Sequence, residues 1–135
     1  MRLAVVASRF NHEIVDAMVQ RALDRAKEQG LKVTTVVRVP GTFEIPLAAQ
    51  RLLERTDVDG VVALGAVITG ETKHDEVIMQ SAADALMGLE LRTGKPIGLG
   101  ITGPGMTYKQ AKARLDAASR AVDAVQSMHD LLRGL

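Results

Sequence analysis

The chain has 135 residues, of which 47% are apolar and 24% charged, with a formal net charge of +1 and no cysteine. This length and composition indicate one globular domain, and the charge gives no reason to expect nucleic acid as a partner. The absence of cysteine excludes disulfides, a thiolate nucleophile and a cysteine-based zinc site. No apolar run reaches the ~20 residues that cross a bilayer, and no signal peptide is recognisable, so we expect a cytoplasmic protein without a membrane partner.

Strand and helix patterns alternate along the chain without repeats or linkers. Strands are predicted from short apolar or alternating runs, and helices from apolar residues spaced three and four apart. In chain order, the predicted elements are a strand at 3–7, a helix at 12–29, a strand at 31–37, a helix at 44–55, a strand at 60–68, a helix at 75–92, a strand at 97–101, a sharp loop at 103–105 and a long helix at 107–132.

This order of elements predicts an α/β protein, a single domain over residues 1–135. We expect a flavodoxin-like sandwich in which helices flank a four-stranded parallel sheet on both faces. The run 60–68 is almost entirely apolar, as expected of a strand buried on both faces. Right-handed crossovers bring the strand-to-helix loops to one edge of such a sheet, where ligands bind. These loops are 8–11, 39–44, 70–74 and 102–105.

The loop after the third strand has the clearest chemical signal. Thr72, Lys73 and His74 stand where a buried strand ends and a helix begins. Free N–H groups at the start of a helix suit an anion such as phosphate. An imidazole titrates near neutral pH, so His74 is a candidate proton shuttle. The other histidines, His12 and His129, are not at metal-binding spacings from it, so we expect no metal site.

Three other residues have both a structural and a functional interpretation. Phe10 is either a staple over the first helix or an exposed ring on which a planar ligand stacks. Glu44 either complements a helix dipole, the interpretation that we favour, or binds hydroxyls of a ligand. Arg114 either pairs on the surface with Asp116 or Glu90, or clamps an anion with its planar guanidinium.

Asn11 is the expected N-cap of the first helix, which is a structural role. The loops contain neither G-x-G-x-x-G after the first strand nor G-x-x-x-x-G-K-[ST] anywhere. Their absence argues against a dinucleotide cofactor.

Four segments together resemble a known family. They are Ser8-Arg9-Phe10-Asn11, Pro40-Gly41-Thr42-Phe43-Glu44-Ile45-Pro46, the run from Leu64 to His74, and Gln110-Ala111-Lys112-Ala113-Arg114. In order and spacing they are similar to the 6,7-dimethyl-8-ribityllumazine synthases of riboflavin biosynthesis. The loop from Gly98 to Gly105 resembles the archaeal branch of that family. The resemblance covers nearly the whole chain.

The resemblance implies a transferase reaction that needs no cofactor and no metal. The substrate 3,4-dihydroxy-2-butanone 4-phosphate condenses with 5-amino-6-(D-ribitylamino)uracil. An imine forms, phosphate leaves, and the ring closes with loss of water. Holding two substrates together can contribute up to ~7–11 kcal/mol in favourable cases, and a proton shuttle typically adds roughly 10²–10⁴-fold.

The resemblance also implies roles for individual residues. His74 matches the acid/base catalyst, and Phe10 matches the ring that stacks on the pyrimidine. Phe43 and Glu44 match residues that hold the ribityl chain, and Arg114 matches the cationic clamp on the phosphate. The other residues implied in substrate binding are Thr42, Val67, Ile68, Leu99 and the phosphate loop of Gly70, Glu71 and Thr72, with Arg120 and Asp123 as a cation–carboxylate pair near the same site.

In that family the site lies between adjacent subunits of a ring of five, and some members stack twelve rings into a hollow shell. We therefore expect a homopentamer or a multiple of it. The chain departs from the family at Leu99, where a neighbour's aromatic ring is usual, and at 102–105, one residue longer than the usual loop. Two alternatives remain open: an archaeal-type riboflavin synthase, and a non-catalytic flavodoxin-like binding or shell-forming module.

Overall fold

The computed structural model describes residues 1–135, which form four strands and five α-helices. In chain order the elements are β1 (Arg2–Ser8), α1 (His12–Glu28), β2 (Lys32–Val39), α2 (Ile45–Leu53), β3 (Gly60–Ile68), α3 (His74–Thr93), β4 (Ile97–Met106), α4 (Tyr108–Lys112) and α5 (Asp116–Arg133). A 3₁₀ turn over Thr42–Glu44 precedes α2. None of the helices combines the length and the apolar composition that a membrane crossing requires.

The four strands form one parallel sheet in the order β2-β1-β3-β4. β3 lies inside the sheet, with Gly60 opposite Leu3 of β1 and Val61 opposite Ile97 of β4. All but the last residue of β3 are buried, because the strand has neighbours at both edges and helices on both faces. The predicted α/β fold with a four-stranded parallel sheet is therefore confirmed.

Two apolar cores cover the two faces of the sheet. On one face α1 and α5 bury side chains such as Met18 and Val122. On the other face α2 and α3 bury side chains such as Ile45 and Leu86. Successive strand residues point to opposite faces, so alternate residues of β1 and β3 supply the two cores.

Most element boundaries agree with the sequence within a few residues, and β3 agrees at both ends. The second strand ends at Val39 instead of residue 37. The second helix is shorter than the predicted 44–55, because Glu44 belongs to the 3₁₀ turn and the helix ends at Leu53.

The long helix predicted at 107–132 is wrong, because the segment forms two helices, α4 and α5, with a break at 113–115. At the break, backbone N–H groups donate to carbonyls three residues back, as Arg114 does to Ala111 (3.0 Å). Ala111 and Ala118 are buried in the same core. The apolar spacing therefore continues across the break and conceals it in the sequence.

The predicted fourth strand is too short, since β4 continues to Met106. Thr102 lies opposite Ala66 and Met106 lies opposite Ile68, so four steps along β4 match two along β3. The sharp loop predicted at 103–105 is a bulge within the strand, called here the β4 bulge.

α5 packs so closely on β4 that glycine is required beneath it. A Cβ built at Gly98 would lie 2.3 Å from the carbonyl oxygen of Ala121, and one at Gly100 would lie 3.2 Å from the Cβ of Ala121. The first contact is with backbone and cannot be relieved by rotating a side chain. Any side chain at Gly98 must therefore displace α5 from the sheet.

We expect Gly98→Ala to lower the free energy of unfolding by about 1–3 kcal/mol, the usual cost of overpacking a core. The measurement is the midpoint of urea denaturation. Gly134→Ala is the matched control, because its Cβ would meet the carbonyl of Leu131 at an ordinary 3.6 Å. An unchanged midpoint for Gly98→Ala would contradict the packing described.

Candidate active site

A cavity of about 610 Å³ opens at the carboxyl edge of the sheet, between the loops after β1, β2 and β3 and the first turn of α3. Nine residues predicted for the site line it: Phe10, Thr42, Phe43, Glu44, Val67, Ile68, Gly70, Thr72 and His74. The wall is completed by Asn11, Pro40, Gly41, Ala66, Asp75 and Ile78. No lysine or arginine lines the cavity, and no group of three or more metal-ligating side chains is placed to hold a metal ion.

Both phenylalanines of the chain stand at this cavity with most of their side chains exposed. Phe10 is 71% exposed and Phe43 is 66% exposed. Phenylalanine is usually buried, and this fold has two apolar cores that could receive it. An exposed ring at a cavity instead provides a surface on which a planar ligand can stack.

Three hydrogen bonds hold the loop that carries Phe10 against the end of β2. The N–H of Arg9 donates to the carbonyl of Val39 (2.7 Å), and the N–H of Phe10 donates to that of Pro40 (3.1 Å). The guanidinium of Arg38 in β2 donates to the last carbonyl of β1 (3.0 Å). The aromatic ring is thus presented by a fixed backbone, although the side chain itself is exposed.

Asn11 joins the start of α1 to the end of β3. Its side-chain Nδ2 donates to the carbonyl of Ala66 (2.8 Å). Asn11 is the N-cap residue as predicted, but its side chain makes no capping bond, because it reaches β3 instead. Its φ of 57° is left-handed, a conformation that asparagine tolerates better than most residues.

Polar side chains lie close to two glycines, of which Gly41 lines the cavity and Gly65 precedes its lining residue Ala66. A Cβ built at Gly65 would lie 2.8 Å from Oγ1 of Thr42 and 3.3 Å from Oγ of Ser8, both of which are buried residues. A Cβ built at Gly41 would lie 3.3 Å from Oε1 of Glu44. Glycine at both positions therefore leaves room for two hydroxyl groups and a carboxylate.

The β3–α3 loop (residues 69–73) is exposed throughout. The N–H of Thr69 donates to the carbonyl of Met106 (2.8 Å), and the N–H of His74 donates to Oγ1 of Thr72 (3.3 Å). His74 is the first residue of α3, and its side chain is exposed at the cavity. The N–H groups of the first turn of α3 carry partial positive charge, which favours an anion at this place.

Five predicted residues lie outside the cavity: Glu71, Leu99, Arg114, Arg120 and Asp123. Leu99 is opposite Ala63, partway along the edge strand β4, and is 48% exposed. Arg114 is exposed at the break between α4 and α5, where it donates to the carbonyl of Gln110 (3.4 Å). One chain alone therefore does not bring this arginine to the cavity that contains His74.

The break that carries Arg114 is fastened to α1 on both sides. Before it, the hydroxyl of Tyr108 donates to the carboxylate of Glu13, and this hydrogen bond lowers the pKa of Glu13 and raises that of Tyr108. After it, Asp116 pairs with Arg21 of α1, so the surface pair with Asp116, one of the interpretations of Arg114, does not form. The guanidinium of Arg114 is therefore left without a carboxylate partner in this chain.

Two other expected ion pairs are corrected. Oε1 of Glu90 accepts from the backbone N–H of Ile97 (2.6 Å) and does not meet the arginine at the break. Asp123 pairs with Arg25 (2.7 Å) and not with Arg120, because α5 lies beside α1 on the same face of the sheet. Pairing with Asp123 raises the pKa of Arg25.

Among the lining residues not proposed for the site from the sequence, Asp75 is the only one with an ionisable side chain. The sequence did contain a sign of it, since an acidic residue directly after His74 falls in the first turn of a helix. The apolar residue Ile78 lies one helical turn after His74, a spacing that places both on one face. Nothing in the sequence indicated Ala66 as a lining residue, because it is one small residue in a long apolar strand.

The model of the 6,7-dimethyl-8-ribityllumazine synthase family matches residues 1–134 of the chain. The chain belongs to this family. A 6,7-dimethyl-8-ribityllumazine synthase from Staphylothermus marinus is 54% identical over 128 residues, which cover 94% of this chain and 85% of the relative. One from Methanopyrus kandleri is 49% identical over 135 residues, covering 100% and 96%. One from Metallosphaera sedula is 47% identical over 136 residues, covering 100% and 90%.

For this member of the lumazine synthase family, we expect Asn11→Ala to lower the free energy of unfolding by about 1–3 kcal/mol. The loss combines the hydrogen bond to Ala66 with backbone strain, because alanine tolerates the left-handed conformation less well than asparagine. Asn11→Gly loses the bond but not the favourable backbone, so it should cost about 1 kcal/mol less. Urea denaturation of both variants makes the comparison, and equal losses would contradict the strain at this position.

Proposed function

We propose that the protein is a 6,7-dimethyl-8-ribityllumazine synthase that condenses 5-amino-6-(D-ribitylamino)uracil with 3,4-dihydroxy-2-butanone 4-phosphate. Imine formation releases one water, elimination releases phosphate, and ring closure releases a second water. The match of the family over residues 1–134 is the observation that carries this proposal. The cavity at the carboxyl edge of the sheet, with two exposed rings and a helix N-terminus, supports it.

The pyrimidine binds at the aromatic end of the cavity. The ring of Phe10 is exposed and stands on a loop held by backbone hydrogen bonds, so stacking requires little reorganisation. Val67 and Ile68 at the end of β3 offer apolar contacts beside it. Thr42, Phe43 and Glu44 hold the ribityl chain, whose hydroxyls match the hydroxyl of Thr42 and the carboxylate of Glu44 at the cavity.

The keto-phosphate binds at the other end, where the β3–α3 loop meets the first turn of α3. Gly70, Glu71 and Thr72 bring backbone N–H groups to the phosphate, and the helix adds partial positive charge. His74 lies at the same end and moves protons between the reacting nitrogen, the carbon chain and the departing groups. A positioned base of this kind typically contributes 10²–10⁴-fold to a rate.

The lining of the cavity offers the phosphate no lysine or arginine from the same chain, since the neighbouring Lys73 is not part of it. The cavity is lined by the carboxylates of Glu44 and Asp75 and by no lysine or arginine. A phosphate monoester carries about −1.5 to −2 charges at pH 7. A second copy of the chain supplies the missing charge through Arg114, which is exposed, lacks a carboxylate partner and can bind phosphate with two parallel hydrogen bonds.

The protein therefore works as a homo-oligomer, a pentamer or a multiple of pentamers, with each site shared by two neighbours. Leu99 of the neighbour, exposed on the edge strand, covers the second side of the bound pyrimidine. Arg120 is also exposed and adds a second positive charge from the same neighbour. Asp123 contributes through its pair with Arg25, which holds α5 beside α1.

We expect His74→Ala to slow turnover of the substrate pair by about 10²–10⁴-fold, because it removes the proton shuttle. The measurement is the rate of lumazine formation, followed by absorbance and fluorescence. His129→Ala is the control, because this histidine lies on α5 outside the cavity, and it should leave the rate unchanged.

An unchanged rate for His74→Ala would remove this residue from the mechanism. No turnover by the unaltered protein would overturn the proposed function. Conversion of preformed lumazine into riboflavin would identify the alternative activity of a riboflavin synthase.

Mixing two inactive variants tests whether sites are shared. His74→Ala and Arg114→Ala, co-expressed in equal amounts, should regain about one quarter of the wild-type activity, because a random neighbour pair has that chance of joining an intact histidine to an intact arginine.

The native mass should be five times 14.5 kDa or a multiple of it. Activity no higher than the mean of the two pure variants would show that both residues act within one chain.

A further inference from the structure

Asp75 is the only ionisable side chain among the buried residues of the chain. It is 7% exposed, and the other buried polar residues are Ser8, Thr42 and Thr102. Burying a carboxylate is costly unless hydrogen bonds and charge compensate it. The chemistry proposed above makes no use of this carboxylate, although Asp75 follows His74 directly and lines the same cavity.

The carboxylate of Asp75 binds the β4 bulge. Its Oδ2 accepts a hydrogen bond from the backbone N–H of Gly105 (3.0 Å), which lies 30 residues further along the chain. Gly103 and Gly105 have positive φ angles of 103° and 76°, so this segment leaves the regular ladder. The bond gives a fixed partner to an N–H group that the sheet does not use.

The β4 bulge in turn supports the β3–α3 loop. Beyond the bulge, Met106 returns to the sheet opposite Ile68, and its carbonyl accepts from the N–H of Thr69, the first residue of that loop. The loop is therefore attached at its start to the end of the bulge, and at its end to α3, whose first turn carries Asp75. The Asp75–Gly105 bond joins these two supports.

We propose that Asp75 is a positioning residue for this site. Its carboxylate fixes the β4 bulge to the first turn of α3 and so holds the β3–α3 loop and His74 in the arrangement in which the keto-phosphate reacts. This inference rests on the proposed function. It extends that function, because no part of the reaction described above requires Asp75 to touch a substrate.

A carboxylate suits this task better than a neutral side chain. The first turn of α3 has partial positive charge, which stabilises an acidic residue there. A hydrogen bond to a charged acceptor is stronger than one to a neutral acceptor. Glu76 is the natural comparison, since it has the same charge in the same helical turn but is exposed and makes no bond to the bulge.

Three variants of the oligomeric protein test the inference: Asp75→Ala, Asp75→Asn and Glu76→Ala. The first readout is independent of activity and is the hydrogen–deuterium exchange of a peptide that contains Gly105. We expect Asp75→Ala to accelerate exchange there by about tenfold or more, as loss of a charged hydrogen bond predicts. Asp75→Asn, whose amide oxygen still accepts but carries no charge, should keep most of the protection, and Glu76→Ala should keep all of it.

The second readout is steady-state kinetics with both substrates. Asp75→Ala should lower kcat/KM for the keto-phosphate by about 10- to 100-fold, the range expected of a small misplacement of reacting groups. The KM for the uracil amine should stay within about twofold of wild type, since the aromatic end of the cavity is untouched. Asp75→Asn should keep most of the wild-type kcat/KM for the keto-phosphate, and Glu76→Ala should behave as wild type.

Each unfavourable outcome has a distinct meaning. Unchanged exchange in Asp75→Ala overturns the inference whether or not the protein is active. Equal kinetic losses in the alanine and asparagine variants, with protection kept in the latter, also overturn it, because the charge and not the bond would then matter. If the wild-type protein is inactive but the exchange pattern is as expected, the proposed function is overturned, while the hydrogen bond between Asp75 and the β4 bulge is supported.

Discussion

The burial of β3 on both faces and at both edges is the constraint on which the whole site depends. An apolar strand in this position has only its carboxyl end near solvent, so the chain must change from buried to exposed backbone within a few residues after Ile68. Because the sheet is parallel, β1 and β2 end at the same edge, and their loops meet the loop of β3 there. The cavity is a consequence of strand direction and not of any single local motif.

Loops are usually the most mobile part of a domain, yet a catalytic site needs fixed geometry. In this chain hydrogen bonds tie the loops at this edge to neighbouring strands or helices. Asn11 ties the start of α1 to β3, Thr69 ties the β3–α3 loop to β4, and Asp75 ties the β4 bulge to α3. The exposed Phe10 and the exposed His74 therefore stand on backbone that is held in place.

The charge distribution explains why assembly and chemistry are linked in the proposed enzyme. One chain supplies the rings and the imidazole, but the cavity contains carboxylates and no cation. The guanidinium of Arg114 lies outside the cavity of its own chain and has no carboxylate partner there. In the proposed enzyme one chain offers the rings on which the planar substrate stacks, and the neighbour's Arg114 adds a cation for the phosphate.

Hydrophobic spacing in the sequence determined the order of the elements and the burial of β3, because these depend on which side chains avoid water. The alternation of strands and helices then determined the parallel sheet and, through right-handed crossovers, the edge at which the loops gather. Four short segments, three of which include residues of those loops, were enough to indicate the family. Tertiary structure decided the break before α5, the reach of Asn11 to Ala66 and the bond of Asp75 to Gly105. The physical reason is that spacing records whether a residue is buried and not which distant group it meets. The last two bonds join residues 55 and 30 positions apart, so their geometry exists only once the strands are paired.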